Sequence, residues 1–247
     1  MEKILLLGDS ITQQGYATNG WVSQLADAYI RRADVINRGL SGYNSRWLLR
    51  LLQNPSSASQ LLDVSRPPLF VVVFLGANDS VRSDLVQHVP VDEFESNLKK
   101  IVDLVRAALS PICGVFVITP PPIDEEKYLA FVVSNRCPTE TESSRKLSRT
   151  KLYRDAVLRV AAATQSSAVD AFSRFLEGAS VEDPYRPSPP WSRLLTDGLH
   201  LSEEGNSLLF TFLWEELHRN QSWAERANPE TLPLVLPTWN EAASLFH

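Results

Sequence analysis

The sequence predicts a three-layer α/β/α fold, in which helices cover both faces of a parallel sheet of roughly five strands. Two observations predict it: short apolar runs alternate with segments of helical periodicity, and polar residues collect directly after the apolar runs. Alternating strands and helices are typical of doubly wound sheets with right-handed crossovers. In such sheets the ligand crevice lies beyond the carboxyl ends of the strands. We therefore expect the functional residues in the loops that follow the strands.

Five short apolar runs give the predicted strands, at residues 4–7, 34–36, 69–75, 115–118 and 168–169. The first and third are continuous runs of Val, Leu, Ile and Phe without polar alternation. Such runs indicate strands that are buried on both faces, as in a parallel sheet.

Apolar residues recur at helical spacing in the segments between and after these runs. The pattern predicts helices around residues 21–30, 94–105, 152–161 and 208–217. We expect one domain over residues 1–219. The remaining residues, 220–247, contain three prolines and are expected to pack on this body or on a second subunit.

Composition limits the functional classes. The chain has 247 residues with 44% apolar content, enough for one large domain with a substantial core. The net charge of −5 disfavours nucleic acid and anionic membrane surfaces as partners. The longest apolar stretch, residues 69–77, is about half of a membrane span, and the first residues do not resemble a signal peptide. We expect a cytoplasmic protein in which Cys113 and Cys137 are reduced.

Ser10 follows the first predicted strand and is a candidate nucleophile, provided that a base and an orienting carboxylate accompany it. Of the four histidines, only His200 follows a loop of the strand-end type. Asp197 precedes it by three positions, a gap that lets a carboxylate reach Nδ1 and leaves Nε2 free to face Ser10. The alternative is that Asp197 and His200 only cap the last predicted helix.

Three groups are candidate donors to an oxyanion. The Ser10 amide lies at a helix start, where backbone N–H groups have no partner within the helix. Gly42 offers a backbone N–H with unhindered approach, and Asn78 offers a side-chain amide. We expect Asp9 and Asp79, in the same loops, to have structural roles.

Two other classes of protein share features with this sequence. A metal-dependent phosphoesterase is an alternative, because potential ligands of a hard cation follow the strands: Asp9, Asn78, Asp79, Asp197 and His200. A non-catalytic binding protein of the same fold is a second alternative, which the complete set of candidate catalytic groups disfavours. A dinucleotide-binding enzyme would need a glycine-rich fingerprint after the first strand, and none is present.

Four motifs together resemble the GDSL, or SGNH, hydrolase family. The blocks are Gly-Asp-Ser-Ile at residues 8–11, Ser-Gly at 41–42, Gly-Ala-Asn-Asp at 76–79 and Asp-Gly-Leu-His at 197–200. They occur in the order of that family, with Ile11 where its name has leucine. Further segments, at residues 118–122, 197–202 and 204–206, are similar to isoamyl acetate-hydrolysing esterases, as is the aromatic-rich final helix with Trp214.

The resemblance implies a flavodoxin-like SGNH fold and a serine ester hydrolase that needs no cofactor. By this resemblance Ser10 is the nucleophile, His200 the general base and acid, and Asp197 its orienting group. Ser10, Gly42 and Asn78 would form the oxyanion hole of an acyl-enzyme mechanism. Small acetate-type esters are the expected substrates. A thioesterase or lysophospholipase activity is the alternative within the family. A homodimer is the assembly that we expect if the C-terminal residues pack on a second subunit.

Two insertions at the functional edge are candidate borders of an acyl pocket. Residues 124–148 form a long polar insertion, read as a loop, that carries Tyr128 and Phe131, and residues 185–193 include Trp191. Long loops at this edge are often lids. We expect Tyr43, Tyr128, Phe131 and Trp191 to border a small apolar pocket, with ordinary surface packing of these rings as the alternative.

Overall fold

The computed structural model describes residues 2–177 and 189–246, and these form one parallel sheet flanked by helices. The five strands are β1 (Glu2–Gly8), β2 (Ala33–Gly39), β3 (Val71–Phe74), β4 (Val115–Ile118) and β5 (Ser167–Val169). Their order in the sheet is β2-β1-β3-β4-β5, and every neighbouring pair is parallel.

The helices of the described residues connect and follow these strands. They are α1 (Ser10–Gln13), α2 (Trp21–Ala28), α3 (Ser45–Gln53), α4 (Pro55–Leu61), α5 (Val91–Leu109), α6 (Glu125–Asn135), α7 (Leu147–Thr164), α8 (Ala171–Leu176), α9 (Glu203–Arg219), α10 (Gln221–Arg226) and α11 (Trp239–Phe246). Two 3-10 helices span Gln14–Tyr16 and Pro190–Leu194.

Side chains of the central strands alternate between two cores. On β1, Ile4 and Leu6 face the core that contains the apolar sides of α2 and α9. Leu5 and Leu7 face the opposite core, which α3, α5 and α7 cover. Because both faces are buried, neither face needs polar residues, which explains the uninterrupted apolar runs in the sequence.

The strand register brings the carboxyl ends of the central strands to one edge. Gly8 at the end of β1 pairs with Gly39 of β2 on one side and with Phe74 of β3 on the other. Phe74 in turn pairs with Ile118 at the end of β4. The loops after these strands therefore meet at one edge of the sheet, as the fold class requires.

The predicted fold class is confirmed, and one prediction about local structure is wrong. Residues 124–148 were expected to form a long loop, but α6 occupies Glu125–Asn135. Asp124 caps this helix, since its side chain accepts a hydrogen bond from the Lys127 amide, and Glu125 and Glu126 lie in the first turn. Acidic residues that look like an exposed loop are thus the start of a helix.

The segment after α9 contacts the body of the protein. Trp223 of α10 is fully buried, and its indole N–H donates to the Tyr29 hydroxyl at 2.7 Å. That hydroxyl donates to the Ala227 carbonyl at 2.8 Å. Among the described residues, no helix is long and apolar enough to cross a membrane.

Candidate active site

Ser10 is the first residue of a short helix that begins directly after β1. The Asp9 side chain caps this helix by accepting a hydrogen bond from the Ile11 amide at 3.0 Å. Gly8 makes the tight turn possible, because a Cβ at this position would lie 2.2 Å from Thr12 Oγ1 and 2.7 Å from the Phe74 carbonyl. The turn presents Ser10 at the edge where the strands end.

His200 lies on the loop before α9 and joins Asp197 to Ser10. Its Nδ1 is 2.7 Å from Asp197 Oδ2, and its Nε2 is 2.9 Å from Ser10 Oγ. The other carboxylate oxygen of Asp197 accepts the amides of Leu199 and His200 at 2.9 and 2.8 Å. A single carboxylate thus shapes the loop and orients the imidazole. This arrangement allows His200 to take a proton from the Ser10 hydroxyl.

Gly198 makes this loop possible. Its φ is +86°, a region that residues with a Cβ seldom adopt. A Cβ there would also lie 2.4 Å from the Tyr128 amide nitrogen and 2.5 Å from the Asp124 carbonyl oxygen. The loop that carries Asp197 and His200 therefore rests directly on the start of α6.

The candidate oxyanion donors Gly42 and Asn78 lie in loops that follow β2 and β3. Gly42 has a φ of +80°, and its carbonyl accepts the Gln87 side-chain amide at 2.7 Å. Asn78 is buried, and its Nδ2 donates to the Tyr43 carbonyl at 2.9 Å, which ties the two loops together. The Ser10 amide lies in the first turn of α1, where backbone donors have no partner within the helix.

The carboxyl groups at this edge have very different protonation behaviour. Burial alone would raise the pKa of Asp197, but the hydrogen bonds from His200 and Leu199 outweigh burial and lower it to about 2. Asp197 is therefore ionised at neutral pH. Burial raises the pKa of Asp9 to about 6, although the Ile11 amide opposes this shift.

Asp79 lies beneath the site in a wholly buried position. Its Oδ1 accepts from the Ser45 amide at 2.9 Å and from the Ser45 hydroxyl at 2.5 Å. Its Oδ2 has no hydrogen-bond partner within the described chain. Burial raises the pKa of Asp79 to about 7 in spite of the bonds from Ser45, and the charge of Asp9 adds to the increase. Its contacts agree with the structural role expected from the sequence.

Asp9, Asp197 and His200 are potential ligands of a hard cation. Within residues 2–177 and 189–246, no group of three or more His, Cys, Asp and Glu side chains is arranged to hold a metal ion. Both ring nitrogens of His200 already face protein partners. His200 links Asp197 and Ser10 in one chain of hydrogen bonds.

The four aromatic residues expected to border a pocket lie in different environments. Trp191 is buried in the core, and its indole N–H donates to the Ile123 carbonyl at 3.2 Å. Tyr128 is also buried, whereas Phe131 and Tyr43 are partly exposed. Of the second insertion, residues 185–188 lie outside the described residues. The acyl pocket stays a prediction.

Arg145 is a residue of the site region that the sequence analysis missed. It lies between α6 and α7, is 4% exposed, and donates from Nη2 to Asn78 Oδ1 at 3.0 Å. Local sequence contains no signal for this role, because a Ser-Ser-Arg-Lys segment is typical of a solvated surface. Its burial depends on contacts with residues 67 and 68 positions away in the chain.

Comparison with known proteins identifies the family of this chain. Residues 6–208 match the GDSL-like Lipase/Acylhydrolase family. The Isoamyl acetate-hydrolyzing esterase 1 homolog of Homo sapiens is 35% identical over 243 residues, which cover 98% of this chain and 88% of the relative. A GDSL esterase/lipase of Arabidopsis thaliana is 36% identical over 243 residues, covering 95% of this chain and 91% of the relative.

Solved structures have the same fold. A lipase/acylhydrolase from Enterococcus faecalis superposes with a TM-score of 0.61 at 25% identity and covers 96% of this chain and 100% of its own. The acetylxylan esterase Axe2 from Geobacillus stearothermophilus gives 0.61 at 22% identity over 87% of this chain and 93% of its own, a likeness of fold alone. Fold and relatives together define a carboxylic ester hydrolase. The chain belongs to the GDSL-like lipase/acylhydrolase family.

Proposed function

We propose that this enzyme hydrolyses small acetate-type esters through a covalent acyl-enzyme on Ser10. The observation that carries the proposal is the continuous hydrogen-bond chain from Asp197 through His200 to Ser10 Oγ. The substrate class is supported by the similarity to relatives named for isoamyl acetate hydrolysis.

The first half of the reaction transfers the acyl group to the enzyme. His200 Nε2 takes the proton of Ser10 as Oγ attacks the carbonyl carbon of the ester. The oxyanion that forms accepts hydrogen bonds from the amides of Ser10 and Gly42 and from Asn78 Nδ2. When the tetrahedral intermediate collapses, the ester C–O bond breaks and His200 gives its proton to the departing alcohol oxygen.

The second half regenerates the enzyme. His200 takes a proton from water, and the resulting hydroxide attacks the acyl carbonyl in the same oxyanion hole. Collapse expels Ser10 Oγ, which recovers a proton from His200, and the carboxylic acid leaves. Asp197, ionised through both steps, holds the ring orientation and stabilises the imidazolium.

The decisive experiment is intact mass spectrometry after treatment with a fluorophosphonate. Wild type should gain one phosphonyl group as fluoride leaves, and Ser10→Ala should gain none. An unlabelled, folded wild type would contradict the proposed nucleophile. Hydrolysis of p-nitrophenyl phosphate that a chelator abolishes would instead favour the phosphoesterase alternative.

Substrate range needs a separate measurement. We expect kcat/KM to be higher for p-nitrophenyl acetate than for p-nitrophenyl octanoate, with Ser10→Ala as the inactive control. A preference for acetyl thioesters or for lysophosphatidylcholine would transfer the proposal to the thioesterase or lysophospholipase alternative.

A further inference from the structure

Arg145 carries a positive charge in a buried position. Its side chain is 4% exposed, and its hydrogen bonds within the described chain go to two neutral acceptors, the Ala77 carbonyl and the Asn78 amide oxygen. Its Nε is buried without a partner there. Burial of an arginine that makes no salt bridge within the described residues is costly. Burial raises the pKa of Asp9, but the charge of Arg145 opposes this rise, so this carboxyl group offsets part of the cost.

The contacts of Arg145 define which way the Asn78 amide points. A guanidinium only donates hydrogen bonds, so Asn78 must turn its oxygen toward Nη2, at 3.0 Å. A backbone carbonyl only accepts, so the amide nitrogen must face Tyr43, at 2.9 Å. Both partners select the same orientation. One hydrogen of the NH₂ group is used by Tyr43, and the second remains for a substrate oxyanion.

The guanidinium itself is held on more than one side. The Ala77 carbonyl accepts from Nη1, and Cζ lies 5.2 Å from the centre of the Tyr128 ring, within the range of a cation–π contact. The backbone of Tyr128 is also the surface on which Gly198 rests. Arg145 thus contacts both the Asn78 loop and the helix α6, on which the loop that carries Asp197 and His200 rests.

We infer that Arg145 is a positioning residue for the oxyanion hole, which it serves by fixing and polarising the side-chain amide of Asn78. A charge-assisted bond to Oδ1 makes the amide hydrogens better donors. Because negative charge develops on the substrate oxygen in the transition state, the benefit appears in kcat more than in KM. The inference rests on the proposed function of Asn78.

The test is a double-mutant cycle on p-nitrophenyl acetate hydrolysis with Arg145→Met, Asn78→Ala and the double variant. Arg145→Met should lower kcat about 10- to 100-fold with little change in KM, since the Asn78 amide loses its charge-assisted bond and one of the two contacts that orient it. In the Asn78→Ala background the same change should lower kcat less than about threefold. Equal losses in both backgrounds, or an unchanged kcat in the single variant, would overturn the inference.

Arg149→Met is the matched control. Arg149 lies four residues further along, is partly buried, and also donates to neutral acceptors, the carbonyls of Ser80 and Ser144. We expect the kcat of Arg149→Met to stay within about threefold of wild type, because the hydrogen bonds of Arg149 within the described residues go to Ser80 and Ser144 and not to Asn78. A loss as large as that of Arg145→Met would indicate a general packing effect and would contradict the inference.

Two further measurements cover the case in which Arg145→Met does not fold. Arg145→Lys keeps the positive charge but cannot donate to both acceptors from one planar group. We expect it to lower kcat less than Arg145→Met does. This loss should also vanish in the Asn78→Ala background. Methylguanidinium should restore kcat to Arg145→Ala and not to Arg145→Ala/Asn78→Ala. An Arg145→Lys loss that persists unchanged without Asn78, or rescue independent of Asn78, would sink the inference.

Fluorophosphonate labelling separates this inference from the proposed function. If wild type is labelled on Ser10 and Arg145→Met retains full kcat, only the role of Arg145 fails. If wild type is not labelled, the proposed function fails whatever the cycle gives.

Discussion

At the scale of single residues, Asp79 combines two hydrogen bonds from Ser45 with a carboxylate oxygen that has no hydrogen-bond partner among residues 2–177 and 189–246. Its pKa in the folded protein, about 7, lies above the ordinary value of 3.8. The folded protein therefore keeps a proton that the unfolded chain releases between these pH values. It follows that the contribution of Asp79 to the free energy of unfolding falls as pH rises from about 4 through 7.

Asp79→Asn should remove this pH dependence. An amide can still accept from Ser45, and it stays neutral at every pH. The difference in free energy of unfolding between the variant and wild type should increase in favour of the variant by about 1–3 kcal/mol from pH 5 to pH 8. Urea unfolding at both pH values measures this change. Asp103→Asn, at an exposed position, is the control. Its free energy of unfolding should differ from that of wild type by the same amount at pH 5 and at pH 8. Parallel pH profiles for Asp79→Asn and wild type would contradict the prediction.

Gly198 is the second residue whose role can be isolated. Gly198→Ala should lower kcat/KM about 100-fold, because the new Cβ collides with the backbone of α6 and displaces the loop that carries Asp197 and His200. Hydrolysis of p-nitrophenyl acetate measures the loss of activity, and thermal unfolding measures the accompanying change in stability.

Gly114→Ala is the matched control for Gly198→Ala. Gly114 also has a positive φ, +89°, but a Cβ there would meet nothing within 4 Å. It precedes β4, at the end of the sheet opposite the site. Gly114→Ala should lower the free energy of unfolding, as an alanine with a positive φ generally does, and should leave kcat/KM unchanged. Equal catalytic losses in both variants would show that strain, not the collision, is responsible.

At the scale of elements, α9 begins at Glu203, three residues after His200. The hydroxyl of Ser202 caps this helix by accepting from the Gly205 amide at 3.2 Å, and it donates to the Arg193 carbonyl at 2.8 Å. Two acidic residues, Glu203 and Glu204, occupy the first turn, where the helix dipole favours them. The cap therefore connects the helix to the preceding 3-10 segment.

Ser202→Ala should lower the free energy of unfolding by about 1 kcal/mol, the usual cost of losing an N-cap. We expect kcat to fall less than about tenfold, because Asp197 orients His200 independently of the cap. Ser207→Ala, at an exposed position inside the same helix, should leave stability unchanged or slightly raised. A stability loss in Ser207→Ala equal to that in Ser202→Ala would contradict the capping argument. Denaturant titration is the measurement.

Sequence patterns predicted the elements whose burial can be recognised from a short stretch of residues. The strands at residues 4–7 and 115–118 are identifiable because burial on both faces demands continuous apolar runs. The helix Glu125–Asn135 escaped prediction because its apolar residues stand consecutively, at positions 128–133, and do not recur at helical spacing. Its aspartate cap followed by two glutamates was the available signal.

At the scale of the whole molecule, the order of the motifs in the sequence is sufficient to assign Ser10, Asp197 and His200 to one candidate site. Arg145 could not be grouped with them. Nothing in its neighbourhood distinguishes it from a surface arginine, and its position results from how the segment between α6 and α7 folds against the loop after β3. Such a residue becomes visible only when the tertiary contacts of the chain are known.

The boundary between residues 1–219 and 220–247 can be tested by truncation. Removal of residues 221–247 takes away the fully buried Trp223 and uncovers Tyr29, which lies 194 positions earlier in the chain. Deletion of a large buried aromatic ring alone costs about 3–5 kcal/mol, a large part of the 5–15 kcal/mol that stabilises a typical protein. We therefore expect the 1–220 fragment to have no cooperative unfolding transition at 37 °C.

A shorter truncation provides the contrast. Removal of residues 239–247 takes away the exposed Trp239 and Leu245 and leaves the contacts of Trp223 intact. We expect it to lower the unfolding midpoint by only a few degrees, since little apolar surface is uncovered. Circular dichroism and tryptophan fluorescence should report one coincident transition for this fragment and for the full chain. A 1–220 fragment with the midpoint of the full chain would mean that the body folds by itself, and that Trp223 only covers it.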